Sequence, residues 1–507
     1  MNRDVSHWIV VLVVLVIWIT YTFQDWELLG FQQAEIFGHV WSHDWRFDNF
    51  PNYLRGTDQT VHTDNFPLID VIPTTLIFIL KQVVSVPTAE VVFCLLMIGI
   101  NAVVLRSFVD EIDFPNSIVL LGVSTPILWG SYNSGLTEDW GLCFTMLSVI
   151  ALRQDKLFIS AIALACTAYF GLVLGWMSGI FLLLYTLVFR VSVRKLGIVL
   201  GMTTVGVLPL CWFHWDRLML VGHRSLSPPD LFHPLWMLNP WHHTDLASLF
   251  VVGTVDFQEE ILRLHPSSLG WIAMIVSMFC KEFRWWLLFL CFVGFSLGPE
   301  VYWMGYSLGI PNPFHWFLSW VPGASLINHH GRWMLMSVLC WIVIVIKGVK
   351  RAPCAQWIIG LIVIEWLFLT PVGFPLMGTE KISNSAVLQK VSTVSMPENT
   401  RLLRIPVRGP GVVFQQALYE QTVHRQSLWM NPNRPNPSDW FSLTESSQWI
   451  ETIAFEERLP QGACLPKGVG ILLVTKPYVT LIVNHFGRPD MTDQQYAYWS
   501  SFPICTE

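Results

Sequence analysis

Residues 24–75 form a polar, aromatic-rich stretch whose side-chain types suit chemistry. The stretch carries Glu35, His39, His43, Asp44, Asp48, Asp58, His62, Asp64 and Asp70, interleaved with Trp and Phe. In AEIFGHVW, Glu35 and His39 are four apart and share one face if the segment is helical. A carboxylate beside aromatic rings at a membrane interface has a raised pKa and suits a general base. The plainer alternative is a solvated loop carboxylate with a structural histidine. His39 and His43 have a metal-compatible spacing, but no third ligand is evident, so no metal site is assigned.

Further along, RGTDQTVHTDNFPLID holds Arg55, Asp58, His62, Asp64 and Asp70. Carboxylates with an arginine could hold a divalent cation, Mg or Mn, together with a pyrophosphate. Turn chemistry around Gly56 and Asp58 explains the same residues without function. NSGLTEDWG places Glu138 and Asp139 at the start of an apolar run. Adjacent acids there suit the helix dipole, with Thr137 as a cap; a functional account sets them opposite the first loop in one cavity. NHHGRW places His329, His330 and Arg332 before another run. The planar fork of Arg332 suits a phosphate, or its long stem anchors a helix end at the interface. No P-loop, dinucleotide fingerprint, nucleophile elbow or regular intramembrane charge series occurs, which weakens ATPase, dehydrogenase, hydrolase and ion-pump readings.

The elements that must position these residues are membrane helices. The 507 residues are 53% hydrophobic and 13% charged, against roughly 25% charged in soluble domains. Lipid offers the backbone no partners, so helices dominate, and many of the Trp residues sit near run ends, where indole favours the interface. A net charge of −6 points to no nucleic-acid partner. Apolar runs lie at about 8–23, 89–106, 117–133, 139–153, 157–171, 173–190, 195–215, 268–281, 285–300, 331–349 and 355–375. The first lacks a small-residue cleavage site and reads as an uncleaved anchor. A helix at 67–86, with Asp70 and Pro73 near its start, reads as interfacial. That choice puts every Lys/Arg cluster on the cytoplasmic side. The expectation is a mainly α, polytopic protein of about eleven spans, N-terminus inside and C-terminus outside. One long helix over 157–190 would invert the orientation of every later span.

The chain then divides into a transmembrane domain, 1–375, and a small extracytoplasmic α/β domain, 376–507. In the tail, RLLRIPV, GVVFQQALYEQTVHR, GILLVTK and YVTLIVNHF read as β-rich. Cys464 and Cys505 stand alone in that polar segment; an extracytoplasmic tail predicts a disulfide between them, a cytosolic one free thiols.

An anchor, a large acidic first outer loop, an interfacial helix, many spans and an outer C-terminal domain resemble the GT-C membrane glycosyltransferases. Within that group the chain is most similar to bacterial YfhO-like multispanning proteins. The likeness rests on AEIFGHVW, RGTD…PLID, SGLTED, and IPV followed by YEQTVHR and NRP. It implies an integral protein of a bacterial cytoplasmic membrane that moves a sugar from a polyprenyl-phosphate donor to a glycan, lipid or protein acceptor. Glu35 would then be the base, Asp64 and Glu138 would orient the sugar, and His39, Arg55, Asp70, Asp139, His330 and Arg332 would line the substrate site. YfhO-like proteins include members without an enzymatic role, so a lipid-linked-glycan transporter or an envelope-assembly scaffold is the alternative.

Overall fold

The structure is a computed structural model, and it describes residues 26–29, 70–109, 118–134, 137–213, 243–257, 260–263, 265, 267–321, 329–350, 354–369, 378–380, 382–396, 400–405, 413–426, 428–429, 450, 459 and 463–505. The chain divides into two compact units: Met1–Tyr21, Leu68–Leu76 and Val92–Met377 form one, and Thr22–Pro67, Ile77–Val91 and Gly378–Glu507 the other.

Helices run in order α1 (Val71–Lys81), α2 (Val86–Val109), α3 (Ile118–Ser124), α4 (Pro126–Ser134), α5 (Leu142–Arg153), α6 (Leu157–Phe170), α7 (Leu172–Phe189) and α8 (Val193–Phe213). Next come α9 (Trp271–Ser277), α10 (Phe283–Ser296), α11 (Pro313–Ser319), α12 (Met334–Val349) and α13 (Ala355–Phe368). A hairpin of β1 (Glu300–Trp303) and β2 (Tyr306–Pro311) joins α10 to α11. Among the described residues, four helices are long and apolar enough to cross a membrane: Val86–Val109, Leu172–Phe189, Val193–Trp212 and His330–Val349. At 11 residues, α1 rises roughly 16 Å, well short of a bilayer core. The last of the four spans is central, with 89% of its apolar window buried, whereas Val193–Trp212 has 17% buried and leaves its other faces open.

Several runs break where the backbone chemistry requires it. The 117–133 run is two helices, because Pro126 lacks an N–H and drives Thr125 out of the α region. Residues 157–190 are also two helices, parted at an extended Gly171. They fold back tightly: a Cβ on Gly175 would lie 2.6 Å from the Cα of Ala168. Only seven residues of the 268–281 run are helical. Glu365 of α13 caps that short helix, its carboxylate accepting from the backbone N–H of Trp271 at 2.6 Å and of Ile272 at 2.9 Å.

Hydroxyls supply several of the cross-links between these helices, as suits a medium in which unsatisfied polar groups are costly. Thr145 and Ser178 meet at 2.7 Å, and Ser148 and Ser160 at 3.0 Å. Thr203 donates to the Ala161 carbonyl at 3.2 Å, and Tyr169 to that of Gly206 at 2.9 Å.

The second unit contains β3 (Arg401–Ile405), β4 (Val469–Thr475), β5 (Met491–Thr492) and β6 (Tyr496–Trp499). They form one sheet in the order β3, β4, β6, β5, with β3 and β4 parallel and the other pairs antiparallel. Helices α14 (Ala386–Ser392), α15 (Val413–His424) and α16 (Lys476–Phe486) complete it. Two tail runs that read as β-rich are therefore helical. In α15 the buried Ala417, Glu420, Gln421 and His424 follow a helical period. In α16 a proline opens the helix and Gly487, at φ 81, ends it, overriding β-branched residues between them. Cys464 and Cys505 are joined in a disulfide with their Cα atoms 5.2 Å apart.

Candidate functional site

The five-residue 3-10 turn Thr137–Gly141 carries Glu138 and Asp139 and leads straight into α5. It is tied down from three directions. The Thr137 hydroxyl donates to Asp70 Oδ2 at 2.5 Å. The Ser131 hydroxyl of α4 donates to Asp139 Oδ2 at 3.2 Å, and Asn101 of α2 donates its side-chain amide to the Trp140 carbonyl at 2.8 Å. Asp70, Thr137 and Asp139 are all buried. Thr137 is thus not the cap of α5; that position is Gly141, with no side-chain cap. The room for this turn comes from Gly141 itself, where a Cβ would stand 2.6 Å from the Phe170 ring.

The structure therefore brings together Asp70 from one candidate stretch and the 137–141 turn from another. Two buried carboxylates border the backbone of Glu138, Asp139 as its neighbour in the chain and Asp70 through Thr137. Both accept from hydroxyls. The backbone at Glu138 is placed by its neighbours; its side chain lies outside the described residues, as do Glu35, His39, Arg55 and Asp64.

A second group forms where His330 and Arg332 enter α12 through the 3-10 turn His330–Trp333. His330 is buried and Arg332 half-buried. The His315 ring of α11 stands 5.3 Å from that of His330 at 78°, and His243 is within Coulombic reach. Burial holds His315 below the ordinary histidine range, so it is a neutral imidazole at pH 7. Gly331 admits a third ring: a Cβ there would lie 2.5 Å from His265. His265 Nδ1 meets the Ser267 hydroxyl at 2.6 Å, and Ser267 lies 3.3 Å from the Thr244 hydroxyl.

Asp245 organises the loops that bring these histidines in. Fully buried, it accepts from the backbone N–H of Ala247 at 2.8 Å, Met304 at 3.0 Å and Gly305 at 2.8 Å. Met304 and Gly305 form the turn between β1 and β2, both with positive φ, a turn Asp245 holds from outside. His243 stacks on Tyr302 of the same hairpin at 4.2 Å.

The two groups border one helix. The 137–141 turn packs on α7, and Trp176 of α7 packs on Trp333 at 5.4 Å. The neutral imidazole of His315 can donate its N–H to phosphate oxygens or sugar hydroxyls, and the planar fork of Arg332 suits phosphate. Among the described residues no three His, Cys, Asp or Glu side chains are grouped to hold a metal ion. Sequence reasoning missed Ser131, Asn101, His315 and Asp245. The one available signal was the outer loop expected at 216–267, rich in histidine (His223, His233, His242, His243 and His265), within which Asp245 lies.

No family model matches the sequence, and no curated protein matches it. Among solved structures, the crystal structure of ArnT from Cupriavidus metallidurans in the apo state is similar over 98% of this chain and 98% of its own, at 12% identity and a TM-score of 0.45.

Proposed function

We propose that the protein is a membrane glycosyltransferase of GT-C, YfhO-like type, acting on the outer face of a bacterial cytoplasmic membrane. The observation that carries this reading is the 137–141 turn. A solvated turn at a helix start needs no more than a cap and a favourable dipole. This one has hydrogen bonds from Thr137 to Asp70, from Ser131 to Asp139 and from Asn101 to Trp140, in a bundle where polar groups are costly. Such support suits a segment whose position matters for chemistry.

In the proposed reaction Glu35 takes the acceptor hydroxyl proton as the acceptor oxygen bonds to the sugar's anomeric carbon. The bond from that carbon to the donor phosphate breaks, and polyprenyl phosphate leaves with the electron pair. Arg332, with His330, meets the departing phosphate; Glu138 and Asp64 orient the sugar, and His39 and Arg55 bind substrate. Asp70 and Asp139 act through the turn they hold. The N-terminus is cytoplasmic and residues 376–507 extracytoplasmic in this reading.

The test is release of polyprenyl phosphate from labelled lipid-linked sugars by the purified full chain. Loss of release in Glu35→Gln and Glu138→Gln, with unchanged thermal unfolding, is the expected result. Full activity in Glu35→Gln would remove the base from the scheme. A wild-type chain that binds but never cleaves the donors would instead favour a transporter or scaffold.

A further inference from the structure

Arg153 ends α5, the helix that the 137–141 turn begins, 12 residues and roughly 18 Å away along the axis. At that opposite end it is held in a box of aromatic rings. Its Nε donates to the Tyr185 hydroxyl at 2.8 Å and its Nη1 to the Phe108 carbonyl at 2.8 Å. The guanidinium stands 5.3 Å from the Phe108 ring, 5.3 Å from Tyr185 and 5.8 Å from Trp285.

A second guanidinium rests on the same cluster. Arg284 lies 5.8 Å from the Phe189 ring, which stacks on Tyr185 at 4.5 Å and meets Trp285 at 5.0 Å. Among the described residues neither arginine forms an ion pair, and Nη2 of Arg153 makes no hydrogen bond. The carboxylates nearest in sequence, Asp155 to Arg153 and Glu282 to Arg284, are engaged by Lys195 and by Lys347 respectively.

Helix capping explains part of this arrangement, because Arg153 satisfies a carbonyl at the end of α2. It does not explain Arg284, which sits in the first turn of α10, where the helix dipole disfavours a cation. Ring faces fix a guanidinium without neutralising it. Two positive charges fixed on one cluster, neither in an ion pair among the described residues, attract an anion, and the planar forks match phosphate oxygens. Arg284 is exposed, and Met278, Phe279 and Phe283 beside it are exposed apolar side chains at 79%, 56% and 71%. Charge next to open apolar surface fits a ligand with a phosphate head and a hydrocarbon tail.

We propose that Arg153 and Arg284 form a clasp for the headgroup phosphate of an anionic phospholipid, at the end of the bundle remote from the 137–141 turn. The site is independent of the glycosyltransferase reading and does not require it.

Native mass spectrometry of the purified full chain with phosphatidylglycerol, phosphatidylcholine and free glycerol 3-phosphate tests it. Phosphatidylglycerol should bind at least tenfold more tightly than phosphatidylcholine. Arg284→Gln, an exposed change, should remove that preference, while Arg488→Gln in the other unit leaves it intact. Arg153→Lys, which keeps the charge but not the fork, should weaken it partially. Equal binding of both lipids, or an undiminished preference in Arg284→Gln, would overturn the clasp. Competition by glycerol 3-phosphate at equal concentration would overturn the lipid assignment in favour of a soluble phosphate ester.

Discussion

The Thr137 hydroxyl and Asp70 Oδ2 meet at 2.5 Å across 67 positions of sequence, within a single compact unit. Thr137→Val keeps the shape and removes the donor, leaving a buried carboxylate with one hydrogen bond fewer. The cost should be about 1–3 kcal/mol, and Thr137→Ser should recover most of it. Thermal unfolding of the full chain in one detergent compares the three proteins directly. A valine variant as stable as the parent would mean that the turn is held by its other contacts alone.

The buried ion pair of the second unit should behave in the opposite way when single and paired changes are compared. Arg404 donates to Glu420 through Nε at 3.1 Å and Nη2 at 3.0 Å, and the Tyr496 hydroxyl donates to the same carboxylate at 3.0 Å. The two charged side chains are 2% and 0% exposed, which puts them in the class where losing one partner strands the other. Glu420→Gln or Arg404→Met should each cost roughly 3–5 kcal/mol, and Arg404→Met with Glu420→Leu should cost less than either. Hydrogen exchange of the β3 and β4 amides reads this out locally. A double variant that merely sums the single losses would show that the charges stabilise more than they cost.

The contrast between these two networks shows what sequence could and could not reveal. Membrane helices were legible because lipid enforces long apolar runs, and α7 and the core of α12 fall close to those runs. Pro126 marked a break that hydropathy averaging passed over. The helices α15 and α16 were obscured by Val, Thr and Ile, whose local strand preference lost to a helical stripe in one and to Pro477 and Gly487 in the other. Glu138 and Asp139 were visible as acids at a helix start, but their anchor was not. A hydroxyl-to-carboxylate bond spanning 67 positions leaves no periodic trace, and neither does Asp245 holding a hairpin turn 59 residues away.

Opening the Cys464–Cys505 bridge should act through the unfolded chain. The two residues are 41 apart, a separation for which loop closure contributes about 4 kcal/mol in the chain-entropy account. Cys464→Ser with Cys505→Ser should lower stability by about 2–5 kcal/mol, with the effect concentrated in β4, β5 and β6. Hydrogen exchange of those amides, against those of α12 as an internal reference, measures it. Unchanged protection in the sheet would mean that packing alone orders the C-terminus.

His424 gives the second unit a predictable response to acid. Its Nδ1 accepts from the Gln426 backbone N–H at 3.1 Å, so the proton sits on Nε2, which is buried without a partner among the described residues. Burial, reinforced by Arg425, lowers the pKa to about 3. An unfolded histidine titrates near 6.5. Between those values the unfolded chain binds the proton and the folded one does not, so stability falls as pH drops from about 6.5 toward 3 and is indifferent above that window. The slope has a ceiling of about 1.4 kcal/mol per pH unit for one group. Asp493 adds a loss at lower pH. Burial raises its pKa, but donors from Ser385, Tyr496, Gln495 and Val387 outweigh that and leave the pKa depressed, so its stabilisation disappears as those oxygens protonate. Exchange of the β4 and β6 amides at about pH 7.5, 6 and 5 should show progressive loss of protection. His424→Gln, which cannot take up the proton, should flatten that dependence; an identical slope in the variant would assign the acid sensitivity to another group.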